Sequence, residues 1–273
     1  MKRFISNIRY NLKSKISTKQ VIGYPKSGNT WLRMLIYNYF LINHKINFSN
    51  SFFDETNISL HNDRNIIFSH GTKDRRINKI SDLNIDPFIS KNRKTIFLVR
   101  DPRDVLVSLY YHEVYRYGQN FYTEDIWKKM FLLKNLKDTP SFSGFIRGDI
   151  RGINYIVDFM NYWYHKRKIF KEFKIISYEE LHNTKLTLKK ILSFFSIPID
   201  ENHLEQTVFE SSFEKMRQKE INDDISQMDM STPKNIKDNR TFKVRNGMVG
   251  SYKSDLFSNS DLIYVNNIIE KNL

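Results

Sequence analysis

The chain has 273 residues, of which 40% are hydrophobic and 14% aromatic, enough to bury one sizeable core within a single domain. The absence of cysteine excludes a disulfide framework and a thiolate metal site, and no apolar run of roughly eighteen residues marks a membrane-spanning helix. The net charge of +14 indicates a polyanionic partner, but no stacked-base motif or arginine-rich recognition helix accompanies it, so we expect no nucleic-acid partner.

Residues 1–19 form a basic N-terminal segment that contains no acidic residue. Its apolar side chains fall on one helical face: Phe4, Ile5, Ile8, Leu12 and Ile16. The segment is predicted to be a short amphipathic helix, which either rests on an anionic membrane surface or packs against the domain as its first helix. It lacks the apolar centre of a signal peptide, so we expect a cytoplasmic protein, with peripheral membrane contact through residues 1–19 as one alternative.

Residues 20–273 are predicted to form one α/β domain. Four apolar runs predict strands, at 20–24, 65–70, 94–100 and 173–178. Their apolar residues are continuous rather than alternating, which is typical of a parallel sheet covered on both faces. Helical spacing and start signals predict helices at 29–44, 101–115, 152–170, 179–195, 201–210 and 260–272.

The stretch from residue 21 to residue 31 is the most informative part of the chain: Val-Ile-Gly-Tyr-Pro-Lys-Ser-Gly-Asn-Thr-Trp. A strand end, a glycine-containing loop and a helix N-terminus together form an anion cradle, because unpaired backbone N–H groups and the helix dipole converge there. Gly23 and Gly28 have the glycine spacing of a Walker A loop, but Asn29 stands where that motif needs its lysine. The lysine lies inside the loop, at Lys26. The loop is therefore predicted to bind a phosphate without the group that reaches the β- and γ-phosphates of a nucleoside triphosphate.

The run Tyr-Pro-Lys-Ser-Gly-Asn-Thr-Trp at residues 24–31 resembles the 5′-phosphosulfate loop of sulfotransferases that use 3′-phosphoadenosine 5′-phosphosulfate (PAPS). A second element begins at Arg100, at the carboxyl end of a predicted strand, where open α/β sheets place their ligands. A guanidinium fork and the hydroxyl of Ser108 suit a phosphate monoester, and they resemble the family's 3′-phosphate element in their spacing. Arg100 has the alternative of simply pairing with Asp104.

A third element lies near the C-terminus, where residues 242–253 resemble the family's Arg-Lys-Gly segment. The resemblance implies that Arg245, Asn246 and Gly247 close over the 3′-phosphate. Asn246 replaces the family's lysine, so a lower cofactor affinity is expected. The flanking glycines suit a lid that orders on binding.

The family resemblance also assigns aromatic side chains to the adenine base. Tyr178 follows a strand as in the family's Tyr-Glu-Asp element, and Phe213 stands in a Ser-Phe-x-x-Met segment. Trp31 would stack on the other face of the base. The proposed PAPS-binding set is Lys26, Ser27, Gly28, Asn29, Thr30, Trp31, Arg100, Ser108, Tyr178, Phe213, Arg245, Asn246 and Gly247.

The resemblance implies a P-loop NTPase-like three-layer sandwich with a central parallel sheet. It also implies transfer of a sulfuryl group from PAPS to an acceptor hydroxyl on a glycan, a phenol or a lipid head, without a metal. Residues 116–150 are expected to wrap the acceptor pocket. The alternatives are a nucleotide- or membrane-binding module without turnover and a P-loop kinase-like phosphotransferase.

Two residues are expected to carry the chemistry. Lys26 stabilises charge on the bridging oxygen as the bond to sulfur breaks, and His70, at the end of the second strand, takes the acceptor's proton. His70 resembles the histidine of the family's Lys-Thr-His segment, although Phe68 stands where that lysine would be. The competing base is a carboxylate, at Glu55 or its neighbour Asp54.

Overall fold

The structure is a computed structural model, and it describes residues 18–43, 66–71, 83, 90–222, 233, 235–254 and 256–273. The predicted amphipathic helix, apart from its last two residues, lies outside the described residues, and so do Asp54 and Glu55. Among the helices of the described ranges, none is long and apolar enough to cross a membrane.

The sheet has four parallel strands: β1 (Lys19–Gly23), β2 (Ile66–Ser69), β3 (Lys94–Val99) and β4 (Glu172–Ser177). Their spatial order is β2-β1-β3-β4. This arrangement confirms the parallel sheet predicted from the continuous apolar runs. Because all four strands run the same way, their carboxyl ends meet at one edge. The register places Ile22 beside Ser69, Gly23 beside Leu98 and Val99 beside Ser177.

Ten α-helices of the described ranges surround the sheet. They are α1 (Asn29–Asn43), α2 (Pro102–Tyr111), α3 (Glu124–Phe131), α4 (Phe142–Arg147), α5 (Ile153–His165), α6 (Tyr178–Leu181), α7 (Thr184–Phe194), α8 (Glu201–Glu210), α9 (Phe213–Ile221) and α10 (Asn259–Asn272). A π-helix, His112–Tyr117, continues α2, and short 3₁₀ turns lie at Gln119–Phe121, Lys166–Ile169, Asn239–Thr241 and Ser251–Ser254.

The two faces of the sheet are buried in separate apolar clusters. Val21 and Ile96 pack with α1, α7 and α8, whereas Ile22 and Phe97 pack with α2, α5 and α10. Successive residues of one strand point to opposite faces, so one continuous apolar run supplies both clusters. The result is the predicted three-layer arrangement, with helices on both sides of a central parallel sheet.

Three predicted helices differ from the observed ones. The helix predicted at 101–115 leaves α-geometry after Tyr111 and continues as the π-helix. The helix predicted at 152–170 ends at His165 and tightens into a 3₁₀ turn. The helix predicted at 179–195 is two helices, because Asn183, with φ −86° and ψ 64°, is not helical. Ser177 and Glu180 form a reciprocal capping box that starts the first of the two.

Candidate active site

The loop between β1 and α1 has a defined, tightly turned backbone. The Ser27 amide donates to the Tyr24 carbonyl over 3.1 Å, and the Leu32 amide donates to the Gly28 carbonyl over 3.0 Å. Lys26 and Gly28 have φ values of 74° and 102°. A Cβ at Gly28 would come within 2.7 Å of the Tyr178 ring, so glycine is required there both by conformation and by packing.

Asn29 braces this loop from the first position of α1. Its Nδ2 donates to the carbonyls of Gly23, at 3.2 Å, and of Tyr24, at 3.4 Å. Its buried Oδ1 has no hydrogen-bond partner among the described residues. The position that holds the lysine in a Walker A loop therefore holds an amide that fixes the strand end. Ser27 is buried beside it and Thr30 is partly exposed in the first turn of α1.

The Lys26 side chain lies among other cations. Burial and the charges of Lys243, Arg116 and Arg100 together lower its pKa to about 7, against a raising effect of Glu220. An ammonium group in such surroundings loses its proton easily because both desolvation and like charges disfavour the charged form. An anion bound beside it would reverse that effect, so the cluster has the electrostatics of an anion site.

Arg100 connects the loop to the C-terminal part of the chain. Its Nη1 donates to the Lys26 carbonyl over 3.2 Å and its Nη2 to the Met248 carbonyl over 3.1 Å. The guanidinium lies 4.0 Å from the centre of the Tyr178 ring. Its Nε is buried and has no hydrogen-bond partner among the described residues. One buried guanidinium thus borders the loop between β1 and α1, the predicted adenine site and the C-terminal element.

Asp104 forms its hydrogen bonds with the C-terminal element and not with Arg100. The Arg100 Nη2 lies 3.7 Å from its Oδ2, which is longer than a hydrogen bond. The same carboxylate accepts the amides of Gly250, at 2.8 Å, and Tyr252, at 3.0 Å, and the Ser251 hydroxyl at 3.1 Å. Asp104 is fully buried and serves mainly as the anchor of the C-terminal element.

Residues 242–252, called the strap from here on, are held at several points. Glu220, also fully buried, accepts the amides of Lys243 and Val244 at 2.8 and 3.0 Å. The Tyr178 hydroxyl donates to the Gly247 carbonyl over 3.0 Å. The guanidinium of Arg245 lies 4.1 Å from the centre of the Tyr111 ring. The strap therefore already lies in place against Arg100 and Tyr178.

The remaining predicted strap residues have separate positions. Asn246 is partly exposed, and its Oδ1 is 3.5 Å from the Met248 amide. Gly247 has φ 64°, and a Cβ there would come within 2.7 Å of the Phe213 ring. Ser108 is partly exposed on α2, one helical turn beyond Asp104.

Three rings lie together at the predicted adenine site. The ring centres of Trp31 and Tyr178 are 5.7 Å apart, and His182 is 5.2 Å from the first and 5.3 Å from the second. The Trp31 indole also donates to the Ser211 carbonyl over 3.0 Å. The structure brings Trp31 and Tyr178 into edge-to-face contact with each other, whereas the prediction places each of them against the adenine base. It also adds His182, which has no recognisable motif in the sequence.

His70 lies directly after β2, at the same edge of the sheet. Its Nδ1 is 2.7 Å from the Gly23 carbonyl oxygen. Because a carbonyl only accepts, Nδ1 carries the hydrogen and the neutral ring keeps a lone pair on Nε2. Burial, with the charges of Arg33, Lys243 and Arg151, lowers the pKa of His70 to about 4, although the bond to Gly23 raises it. His70 is therefore neutral at pH 7 and can accept a proton.

Two buried ion pairs beside the site have no counterpart in the sequence-based prediction. Arg116 donates to Glu220 at 2.7 Å and to the Thr241 carbonyl at 3.0 Å. Arg151, which has φ 66°, bonds to Glu113. The signal that was available is the segment His-Glu-Val-Tyr-Arg at 112–116, where polar residues occupy positions that the preceding apolar helix would bury.

The sequence matches a family model and several characterised proteins, all of them sulfotransferases. A family model described as a sulfotransferase domain matches residues 20–273. Human sulfotransferase 2A1 is 31% identical over 136 residues, which are 49% of this chain and 42% of the relative. The chain thus aligns with less than half the length of that relative. Mouse sulfotransferase 2A2 is 25% identical over 268 residues, 93% of this chain and 83% of the relative.

Solved structures share the fold at lower identity. Retinol dehydratase, in complex with androsterone and the inactive cofactor PAP, has a TM-score of 0.60 at 16% identity, over 97% of this chain and 85% of that one. Mouse SULT7A1, complexed with PAP, has a TM-score of 0.58 at 19% identity, over 98% of this chain and 88% of that one. With the family model extending from β1 to the C-terminus, the chain belongs to the sulfotransferase family, as the resemblance of its loop and strap predicts.

Proposed function

We propose that the protein transfers a sulfuryl group from PAPS to an acceptor hydroxyl. The observation that carries this proposal is the position of Arg100, whose guanidinium bonds both the Lys26 carbonyl and the Met248 carbonyl. The elements predicted for the two ends of the donor nucleotide therefore adjoin, with Tyr178 between them.

The residues present suit a doubly phosphorylated nucleotide. Burial, and after it the cations around Lys26, lower the pKa of Lys26 to about 7, and an anionic donor would offset both effects. We assign the 5′-phosphosulfate to the loop residues Lys26, Ser27, Gly28, Asn29 and Thr30. The 3′-phosphate is assigned to Arg100, Ser108, Arg245, Asn246 and Gly247, and the adenine to Trp31, Tyr178 and Phe213. The buried Nε of Arg100 is a donor that such a phosphate can use.

The donor supplies an activated sulfuryl group bonded to a phosphate oxygen. His70 Nε2 takes the proton of the acceptor hydroxyl as the new oxygen–sulfur bond forms. The old bond between sulfur and the phosphate oxygen breaks, and 3′-phosphoadenosine 5′-phosphate (PAP) leaves with the electron pair. Protonated Lys26 stabilises the charge that develops on that leaving oxygen, which is the type of interaction that lowers a transfer barrier most.

The acceptor is proposed to be a small molecule or a glycan, with a lipid head as a further choice. Retinol dehydratase was solved with androsterone or with retinol, which shows that a small molecule is accommodated in one protein of this fold. Glu55 remains the alternative base. We further propose a cytoplasmic protein, with residues 1–19 as a peripheral membrane contact.

The deciding experiment incubates the protein with ³⁵S-labelled PAPS and a panel of phenols, sugars and lipids with free hydroxyls. Label should move to at least one acceptor class in the native protein. The Lys26→Ala variant should move it at least roughly a hundredfold more slowly, since one charged donor to a developing oxyanion is worth that much. A native protein that binds PAP but labels no acceptor would instead support a binding module without turnover.

A further inference from the structure

The π-helix that follows α2 places a histidine among the cations around Lys26. In this segment the Gly118 amide donates to the Glu113 carbonyl, five residues back, over 2.8 Å. π-Helical segments are rare in proteins, and those that do occur often lie at functional sites. The segment begins with His112, whose ring centre is 4.3 Å from that of Tyr117.

His112 is a partly exposed residue whose imidazole Nδ1 is buried and has no hydrogen bond. That nitrogen is enclosed, and no partner for it exists among the described residues. The other buried polar residues of the π-helix are satisfied: Glu113 by Arg151 and Tyr122, and Arg116 by Glu220. Buried polar atoms are nearly always paired, so an unpaired one beside satisfied neighbours indicates a ligand partner.

The charges around His112 show which kind of ligand this is. Burial and the charges of Lys26, Lys243, Arg116 and Arg151, with Lys26 the strongest of these cations, hold the pKa of His112 well below its usual value. The imidazole is therefore neutral, and in the tautomer that carries its hydrogen on Nδ1 it is a donor beside several cations. Arg116 and Arg151 are already paired with Glu220 and Glu113, so Lys26, the strongest of these cations, decides the preference. An anionic oxygen would satisfy both the Lys26 ammonium and an Nδ1–H, whereas a neutral hydroxyl would satisfy only the second.

The two histidines of the site share neighbours but have different partners. Lys243 and Arg151 act on both of them. His70 donates its Nδ1–H to the Gly23 carbonyl and thereby keeps Nε2 for a proton. His112 has Lys26 as its strongest charged neighbour, which is the residue assigned to the leaving side of the reaction. His112 thus belongs with the group being transferred rather than with proton removal.

We propose that the Nδ1–H of His112 donates a hydrogen bond to a non-bridging oxygen of the donor's sulfuryl group, beside Lys26. This proposal rests on the sulfuryl transfer proposed above. The bond positions the sulfur for the attacking oxygen and withdraws charge from the sulfuryl oxygens. PAP has no such oxygen. His112 therefore distinguishes the sulfated donor from its product.

The test compares the affinities for PAPS and PAP, by calorimetry without acceptor, in the native protein and three variants. His112→Phe keeps a flat ring without nitrogen, and His112→Leu serves if the first fails to fold. His112→Asn places an amide near the position of Nδ1. His182→Phe is the matched control, since it removes an imidazole beside the adenine rings and should change both affinities alike.

In the Phe or Leu variant we expect the Kd for PAPS to rise roughly tenfold or more, as for one lost hydrogen bond to a charged group, and the Kd for PAP to change less than about twofold. His112→Asn should restore most of the PAPS affinity. Equal weakening of both ligands, or no change in either, would overturn the assignment. A native protein that binds neither nucleotide would instead refute the proposed function.

Discussion

Binding of PAP should be accompanied by proton uptake at Lys26, and this is the sharpest consequence of the site's electrostatics. The free Lys26 has a pKa of about 7, because it is desolvated and lies near Lys243, Arg116 and Arg100. An opposite charge within about 4–6 Å raises the pKa of an amine by roughly 1–3 units, so a bound 5′-phosphate should bring Lys26 to about 9.

The magnitude follows from these two values. At pH 8 the free Lys26 is protonated in about one molecule in ten and the complex in about nine in ten, an uptake of roughly 0.8 proton. At pH 6 the uptake falls to roughly 0.1 proton. Because the complex holds the proton more tightly, the affinity for PAP is greatest below pH ~7 as far as this group is concerned, and it weakens as the pH rises from about 7 to about 9.

Calorimetry at pH 8 in HEPES, Tricine and Tris measures this quantity, since the observed heat depends on the buffer's ionisation enthalpy in proportion to the protons taken up. Lys26→Arg is the matched control: arginine keeps its charge at this pH, so the variant should bind PAP with no uptake. An uptake near zero in the native protein, or the same uptake in Lys26→Arg, would refute the assignment of Lys26 to the 5′-phosphate.

Four further predictions concern the donor, the chemistry, the strap and the N-terminus. PAP should raise the melting temperature far more than ATP with Mg²⁺, because the loop has no Walker lysine; equal stabilisation would contradict the motif. Lys26→Ala should raise the Kd for PAP about tenfold at pH 8 and lower kcat about a hundredfold or more. His70→Ala should leave the Kd for PAP unchanged and lower kcat roughly 10²-fold. Normal turnover in His70→Ala, with loss of turnover in Glu55→Ala, would show that the carboxylate is the base. Asp104→Asn should lower the free energy of unfolding by about 1–3 kcal/mol in denaturant titrations and weaken PAP binding, since the amide retains only one acceptor oxygen for the strap; unchanged stability would mean that the strap is held elsewhere. Anionic vesicles should co-sediment the full chain but not a variant lacking residues 1–19, and salt should release it; identical sedimentation would remove the membrane contact.

The fold and the position of the loop between β1 and α1 were predictable because their signals are local. The apolar runs of β1 and β3 and the glycines at 23 and 28 are each visible within a few consecutive residues. The carboxyl ends of the strands lie at one edge of the sheet because the strands are parallel. The contact of Trp31 with Tyr178 follows from that arrangement.

The anchors of the strap could not be predicted in the same way. Asp104 accepts the amide of Gly250, 146 residues away, and Glu220 accepts those of Lys243 and Val244. These bonds are donated by backbone amides of the strap. Every residue except proline has such an amide, so the sequence does not show which of them Asp104 and Glu220 will bind. The break at Asn183 was missed because the apolar spacing continues from α6 into α7, although the helix itself is interrupted at Asn183.

The carbonyl of Gly23 has a mechanical role as well as a chemical one. It accepts from His70 at 2.7 Å and from Asn29 at 3.2 Å, so the histidine, the strand end and the start of α1 are fastened to one atom. The position of the imidazole relative to the strand end and to α1 is thereby set by the backbone, before any ligand binds. If His70 is the base, as proposed above, acceptors of different bulk would have to bring their hydroxyl to one fixed position. Selection among them would then depend on residues further from His70.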